Sequence, residues 1–379
     1  MAHIWSFPTR IIFGAGETAV VGTEAKALGL DSVLIVADPG VEAAGLLAPV
    51  RAALAEAGVG HATFTGVEGN PTEANIRAGA LAYQDAKAQG LVAVGGGSPI
   101  DSAKLIAVRV TTSRPFEELD DAIDGGQFIP KDVPAVLALP TTAGTGSEVG
   151  RSGVVTLEST GRKTVIFAPQ LLPRVAILDP ELSVGLPAKI TAATGFDALT
   201  HCVEAYLSKG VHPMADAIAV AGIDLVQKYL RRAVAQGDDL EARGGMLQAA
   251  MMGAVAFQKG LGACHSLAHP LSSECGLHHG LANAICLPAV ATFNEQTSLD
   301  RLLHVALLLG GEPEPGAATR ALLSLRQEIG LSPTLSSVGV KREQLPRLAE
   351  LAFMDACHHS NPRECTQADM LSLYDAAMG

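Results

Sequence analysis

The chain changes character near residue 186, and that change constrains its fold more than any other feature. Up to residue 185, short β-branched runs alternate with helical segments. Residues 32–37, 91–94, 133–139 and 174–178 read as buried strands, because each is a largely apolar run of strand length. Strand then helix, repeated, predicts a mostly parallel sheet covered on both faces, a Rossmann-like α/β arrangement. From Pro187 onward the strand signals stop, and amphipathic helical stretches follow at residues 188–207, 215–232, 240–257 and 344–352. The expectation is an α/β domain over residues 1–185 and an all-helical domain over 186–379, with no flexible linker and no internal repeat.

Composition narrows the range of functions. At 379 residues and 48% hydrophobic content, the chain is long enough for two cores. A formal charge of -12, no run of Lys or Arg and only 4% aromatic residues exclude the usual nucleic-acid footprint of basic patches and stacking platforms. No apolar stretch approaches the roughly 20 residues of a bilayer span, and residues 1–16 lack the apolar run of a signal peptide. The six cysteines all lie in the second half without CxxC spacing, as expected of free thiols in a cytoplasmic protein.

Two glycine-rich loops follow strands. After Leu91-Val92-Ala93-Val94 comes Gly95-Gly96-Gly97-Ser98-Pro99-Ile100-Asp101, in which Ser98 is expected to cap a helix, Pro99 to occupy its first position and Asp101 to close a capping box. Glycines let the backbone approach a ligand closely, and a helix N-terminus directs N–H groups at an anion such as a pyrophosphate. A tight strand-to-helix connection that binds nothing would look similar. The second loop, Pro140-Thr141-Thr142-Ala143-Gly144-Thr145-Gly146-Ser147, again offers hydroxyls at a strand end, where ligands of open α/β sheets collect. Asp38 ends the first of these strands. A carboxylate there can accept from ribose hydroxyls and would repel a 2′-phosphate, favouring NAD over NADP; a simple turn-forming Asp before Pro39-Gly40 is the alternative.

Six of the 11 histidines lie between His201 and His279. Asp197 and His201 share a helix face at i, i+4, as do His265 and His269, and His278-His279-Gly280 follows. One carboxylate and three imidazoles can make a four-point site suited to iron(II) or zinc(II), and the ligand types alone do not decide between them. Cys202 and Cys264 adjoin these positions, but sequence neighbours on a helix point about 100° apart, so they are not counted as ligands.

With these motifs in order, the whole chain resembles the iron-containing alcohol dehydrogenases, the group that includes lactaldehyde reductase and propanediol dehydrogenase. The likeness rests on GGGSPIDSAK (95–104), PTTAGTGSE (140–148), TGFDALTHCVE (194–204), GLGACHSLAHP (260–270), HGLANAICLP (279–288) and Asn361-Pro362-Arg363. It implies a dehydroquinate synthase-like architecture and a metal held by Asp197, His201, His265 and His279. By the same likeness His269 is a cleft histidine that is not a ligand, and a proton relay or an orienting partner. The cofactor NAD would meet Asp38, Gly95, Gly96, Gly97, Ser98, Asp101, Thr141, Thr142, Thr145, Ser147, Val154, Lys163 and Leu182. Asn70, Ser152, Phe257 and Cys357 would border the substrate. One departure is Ala256, where some members carry Phe, with Phe257 beside it.

The implied activity is hydride transfer between a small primary alcohol or its aldehyde and NAD, with Fe2+ (or Zn2+) as Lewis acid. A homodimer or larger homo-oligomer is expected by resemblance. A zinc-dependent polyol (glycerol-type) dehydrogenase, or another NAD-using enzyme of the same fold, is the alternative; a synthase acting on a phosphorylated sugar acid would need a Lys and Arg cluster that the second half lacks.

Overall fold

The computed structural model describes residues 9–331 and 333–379. They form two compact units, one of residues 9–142 and Gly146–Gly185, the other of Ala143–Thr145 and Leu186–Gly379.

The first unit is built on six parallel strands, β1 (Arg10–Phe13), β2 (Ser32–Val36), β3 (Gly60–Phe64), β4 (Gly90–Gly95), β5 (Ala135–Pro140) and β8 (Val175–Leu178), in the order β1-β8-β5-β4-β2-β3. Helices α1 (Val21–Ala27), α2 (Pro39–Ala43), α3 (Leu47–Glu56), α4 (Glu73–Asp85) and α5 (Gly97–Arg109) alternate with the strands. Successive strand residues point to opposite faces, and both faces are dry. Val33, Ile35, Val92, Val94, Leu137 and Leu139 pack with Val21, Val50 and Leu54, whereas Leu34, Val36, Leu91, Ala93 and Ala138 pack with Ile76, Ile100 and Ile106. Two cores, one on each face, are why these strands read as unbroken apolar runs.

A separate antiparallel pair, β6 (Ser152–Thr156) and β7 (Lys163–Phe167), buries Val155 and Ile166 and leaves Val165 and Phe167 exposed. The direction in which successive strands are added to the sheet reverses between β2 and β4. The carboxyl ends of β2, β4 and β5 therefore lie side by side at the switch point, and they carry Asp38, Gly95–Gly97 and Thr141–Thr142.

The second unit contains α6 (Ala188–Leu207), α7 (Pro213–Ala235), α8 (Leu240–Ala256), α9 (Ala263–Cys275), α10 (His279–Leu308), α11 (Ala317–Glu328), α12 (Leu345–Met354) and α13 (Gln367–Ala377). Among the described residues it contains no strand. One apolar cluster unites these helices, with Phe196, Leu199, Ile223, Leu267, Leu271, Ile285, Leu322 and Tyr374 at its centre. α6 is buried on nearly every side, which is why its sequence carries small residues and its polar groups, Asp197, His201 and Glu204, face other side chains rather than water. Among the described residues no helix is long and apolar enough to cross a membrane.

Candidate metal and cofactor sites

In the first unit the N-terminal end of α5 differs in detail from the sequence expectation. The helix starts at Gly97 with Gly96 as its N-cap, so Pro99 is its third residue and no side chain caps it. Ser98 instead donates its hydroxyl to the Gly69 carbonyl at 2.8 Å. Asp101 does not close a capping box: its carboxylate accepts from the Ser147 hydroxyl and, at 3.1 Å, from the Val154 amide. A glycine cap leaves the first-turn N–H groups of α5 without a side-chain acceptor, which suits an anion better than the expected serine cap would. Gly95 has φ +149, a conformation that disfavours a side chain, and a Cβ there would lie 2.5 Å from Pro99.

Lys104, one turn on from Asp101, is fully buried; its Nζ donates to the Ser152 carbonyl at 2.7 Å and to the Ser147 hydroxyl at 3.1 Å, with Asp101 at 3.5 Å. Burial lowers its pKa. The helix after the first glycine loop thus holds Ser147 and the start of β6 through two side chains, Asp101 and Lys104. Asp38 caps α2, accepting from the Val41 amide at 2.9 Å. Thr141 is buried beyond β5 and donates its amide to the Gly95 carbonyl at 3.0 Å, so the first residues of the two loops are tied together. Thr142 stands beside Gly96. Val154 is on β6, Lys163 begins β7 with a burial-lowered pKa, and Leu182 is buried beneath the sheet. Thr145 is half-buried and groups with the helical unit.

The helical unit brings together three of the four candidate ligands. Asp197 on α6, His265 on α9 and His279 at the start of α10 place ligating atoms within 4.8 Å of one another. Asp197 Oδ1 lies 3.6 Å from His279 Nε2 and 4.0 Å from His265 Nε2, beyond hydrogen-bond reach. Glu204 orients the His265 ring. It accepts from His265 Nδ1 at 2.5 Å, so the lone pair of that ring is on Nε2, and it caps α9 by accepting from the Cys264 amide at 2.6 Å. Burial lowers the pKa of His279 far below the ordinary range and that of His201 to about 4, so both rings are neutral. Burial also acts against the Asp197 carboxylate, but the histidines and Asn283 outweigh it and hold the pKa at about 2.

Among the described residues the Asn283 amide nitrogen is the one donor in their midst, 2.7 Å from Asp197 Oδ1, 3.3 Å from His265 Nε2 and 3.2 Å from His279 Nε2. An amide has two N–H groups, so it cannot satisfy three acceptors. His201 stands one ring away, stacked on His265 with centroids 4.7 Å apart, and its buried Nδ1 has no hydrogen-bond partner. Converging acceptors in excess of donors, together with an orphaned buried imidazole nitrogen, fit a divalent cation. Of the adjacent pair, His278 is the exposed residue before α10, while the ring of His279 reaches the cluster.

Next to this trio, His269 stacks on His279 with centroids 5.3 Å apart and hydrogen-bonds through Nδ1 to Asp355 at 2.7 Å. Phe257 tilts against His201 at 5.1 Å, and the Cys357 amide donates to Asp355 at 2.9 Å. Burial pushes the Cys357 thiol far above its ordinary pKa. Of the other expected substrate-side residues, Asn70 and Ser152 belong to the α/β unit, Asn70 exposed and Ser152 opening β6. Glu204, Asn283 and Asp355 were not singled out from sequence. Glu204 and Asn283 sit inside the quoted motifs, one turn beyond His201 and His279 respectively, and that spacing was the available signal.

Similarity to known proteins extends over both units. The iron-containing alcohol dehydrogenase family matches residues 8–180, and the C-terminal part of the Fe-containing alcohol dehydrogenase family matches residues 191–378. The chain belongs to the iron-containing alcohol dehydrogenases. It is 38% identical to 4-hydroxybutyrate dehydrogenase of Cupriavidus necator, with 100% of both chains covered. The crystal structure of 1,3-propanediol oxidoreductase superposes with a TM-score of 0.95 at 36% identity, covering 99% of this chain and 100% of that one. Sulfoacetaldehyde reductase from Bifidobacterium kashiwanohense, solved in complex with NAD+, gives 0.91 at 30% identity over 100% and 99%. As a family member the chain is an oxidoreductase acting on alcohols and aldehydes, with a mostly parallel sheet and a helical C-terminal region, as the resemblance implied.

Proposed function

We propose that this iron-containing alcohol dehydrogenase uses NAD and a single iron(II) to interconvert a small primary alcohol and its aldehyde. The observation that supports this reading above all is the convergence of Asp197, His265 and His279, three acceptors with one amide between them and a partnerless His201 nitrogen beside them. These four side chains would hold the metal. When bound, the metal supplies Lewis-acid stabilisation of charge developing on the substrate oxygen, and NAD supplies the hydride acceptor.

The chain's own residues do the rest. Glu204 fixes the His265 tautomer, so that Nε2 presents its lone pair. Asp101 and Lys104 hold Ser147 and β6 to the helix that follows the first glycine loop, keeping the backbone donors for a pyrophosphate in register. Asp38 uses Oδ1 for the α2 cap, leaving Oδ2 for a ribose hydroxyl and its charge to disfavour a 2′-phosphate. His269, 39% exposed, takes the hydroxyl proton at Nε2 during alcohol oxidation and passes it to water.

The test is anaerobic NADH oxidation with a panel of small aldehydes, on protein reconstituted separately with iron(II) and zinc(II). Alongside it, metal content is measured for His265→Ala and His269→Ala. His265→Ala should lose both metal and turnover; His269→Ala should keep its metal and lose about 100-fold in turnover. No NADH consumption with any aldehyde on the iron form would end the reading. Metal loss in His269→Ala equal to that in His265→Ala would end the relay assignment alone.

A further inference from the structure

We propose that Asp355 is a positioning residue that acts through His269, setting the tautomer and ring orientation with which that histidine handles the substrate proton. The proposal rests on the proton-relay reading of His269.

Asp355 follows α12 and caps the short 3-10 turn Ala356–Ser360. Its carboxylate is held from three directions. Oδ1 accepts from the Cys357 amide at 2.9 Å and from the Ser266 hydroxyl at 2.7 Å; Oδ2 accepts from His269 Nδ1 at 2.7 Å. The hydroxyl has one proton, and its direction is fixed because Ser266 Oγ itself accepts from the His358 amide at 2.8 Å. Ser266 and His269 stand three residues apart on α9, so one helical face offers both donors to one carboxylate. Burial alone would favour the neutral acid, but the His269 bond and the other donors outweigh it and hold the pKa well below the usual carboxylate range.

The consequence for His269 is chemical. Facing a carboxylate that can only accept, Nδ1 must carry a proton, and the ring's lone pair is confined to Nε2. Ring position is fixed twice over, by the Nδ1 bond and by near-parallel stacking on His279, 16° between planes. A histidine loosened from Asp355 would sample both tautomers and other ring rotations, and only a fraction of molecules would present an acceptor nitrogen to the alcohol hydroxyl. The same three side chains, His269, Asp355 and Cys357, are close enough to hold a cation themselves, so a ligand role is the competing assignment. The Cys357 thiol, held protonated by burial, is a poor ligand.

Asp355→Asn is the discriminating variant. It keeps the size of the side chain and an oxygen for Cys357 and Ser266, but turns an amide N–H toward Nδ1, which reverses the tautomer preference. The expected result is a fall in kcat of about 10- to 100-fold. Metal content and NADH affinity, the latter read by fluorescence quenching, should match the wild type, and aldehyde KM should be nearly unchanged. The double variant Asp355→Asn/His269→Ala should be no slower than His269→Ala. Wild-type kcat in Asp355→Asn, with His269→Ala impaired, would overturn the proposal and leave the relay reading standing. Full turnover in His269→Ala would sink the relay reading itself. Metal loss in Asp355→Asn would overturn the proposal in favour of a ligand role. Should Asp355→Asn not fold, Ser266→Ala gives the second reading: a few-fold drop in kcat at constant KM and metal content supports the proposal, and unaltered kcat counts against it.

Discussion

At the scale of single residues, the sequence singles out candidate metal ligands but not the groups that hold them in place. Asp197, His201, His265 and His279 were legible because helical spacing and motif order both pointed to them. Glu204, Asn283 and Asp355 escaped because an acid or amide beside a histidine has many ordinary uses, and its partner is fixed only by packing between helices. Their partners are 61, 86 and 86 residues away in the chain. Glu148, which closes the second glycine-loop motif, shows the same limit, because its properties come from burial. Burial raises its pKa from 4.5 to about 7, with the Lys104 ammonium pulling against the shift. Between those values the folded chain holds a proton that the unfolded chain has released, so stability falls as pH rises through the interval and the penalty is complete above about 7. Glu148→Gln cannot ionise and lacks this dependence. Thermal melts at pH 5 and pH 8 should therefore show the variant gaining on the wild type at the higher pH. A difference that stays constant, or shrinks, would show that Lys104 keeps Glu148 ionised in the folded protein.

At the scale of elements, the candidate ligands meet because α6, α9 and α10 approach one another there, and Gly280 permits the approach of α10 to α6. A Cβ there would lie 2.2 Å from the Ala193 carbonyl oxygen on α6 and 3.2 Å from the Asp197 side chain. The glycine after His279 is thus needed for packing, beyond marking a helix start. Gly280→Ala should cost about 1–3 kcal/mol by overpacking, measured by denaturant unfolding, and should weaken metal binding more than a remote change of equal cost, because α10 carries His279. Metal affinity equal to wild type in a destabilised variant would show that the site tolerates a shift of α10. Strands β2, β4, β5 and β8 and helices α6, α7, α8 and α12 were recognisable from their apolar patterns to within a few residues. β1, β3 and the β6–β7 pair were not, because they are short, lie at edges or alternate with exposed residues such as Val165 and Phe167, so they lack a continuous apolar signature. The start of α5 was misjudged for a related reason: Asp101 found partners in Ser147 and Val154, which no local spacing could reveal.

At the scale of the whole molecule, the two units have separate apolar cores, two flanking the parallel sheet and one uniting the helices. All four candidate metal ligands belong to the helical unit, on α6, α9 and α10 alone. Cation binding is therefore linked to the stability of that unit, and at 100 times the dissociation constant the linkage is worth about 2.7 kcal/mol. Removing the metal leaves three acceptors, two of them on buried residues, sharing the two N–H groups of Asn283, with His201 Nδ1 unpartnered, and the cost falls where those groups reside. Hydrogen exchange followed by mass spectrometry, with and without a chelator, should show faster exchange in α6, α9 and the first half of α10, while β2, β4 and β5 keep their protection. NAD should do the reverse, slowing exchange at the loops after β2, β4 and β5 whether or not metal is present. If chelation loosened the sheet and the helices equally, the metal would be stabilising the molecule as one cooperative body rather than through the elements that carry its ligands.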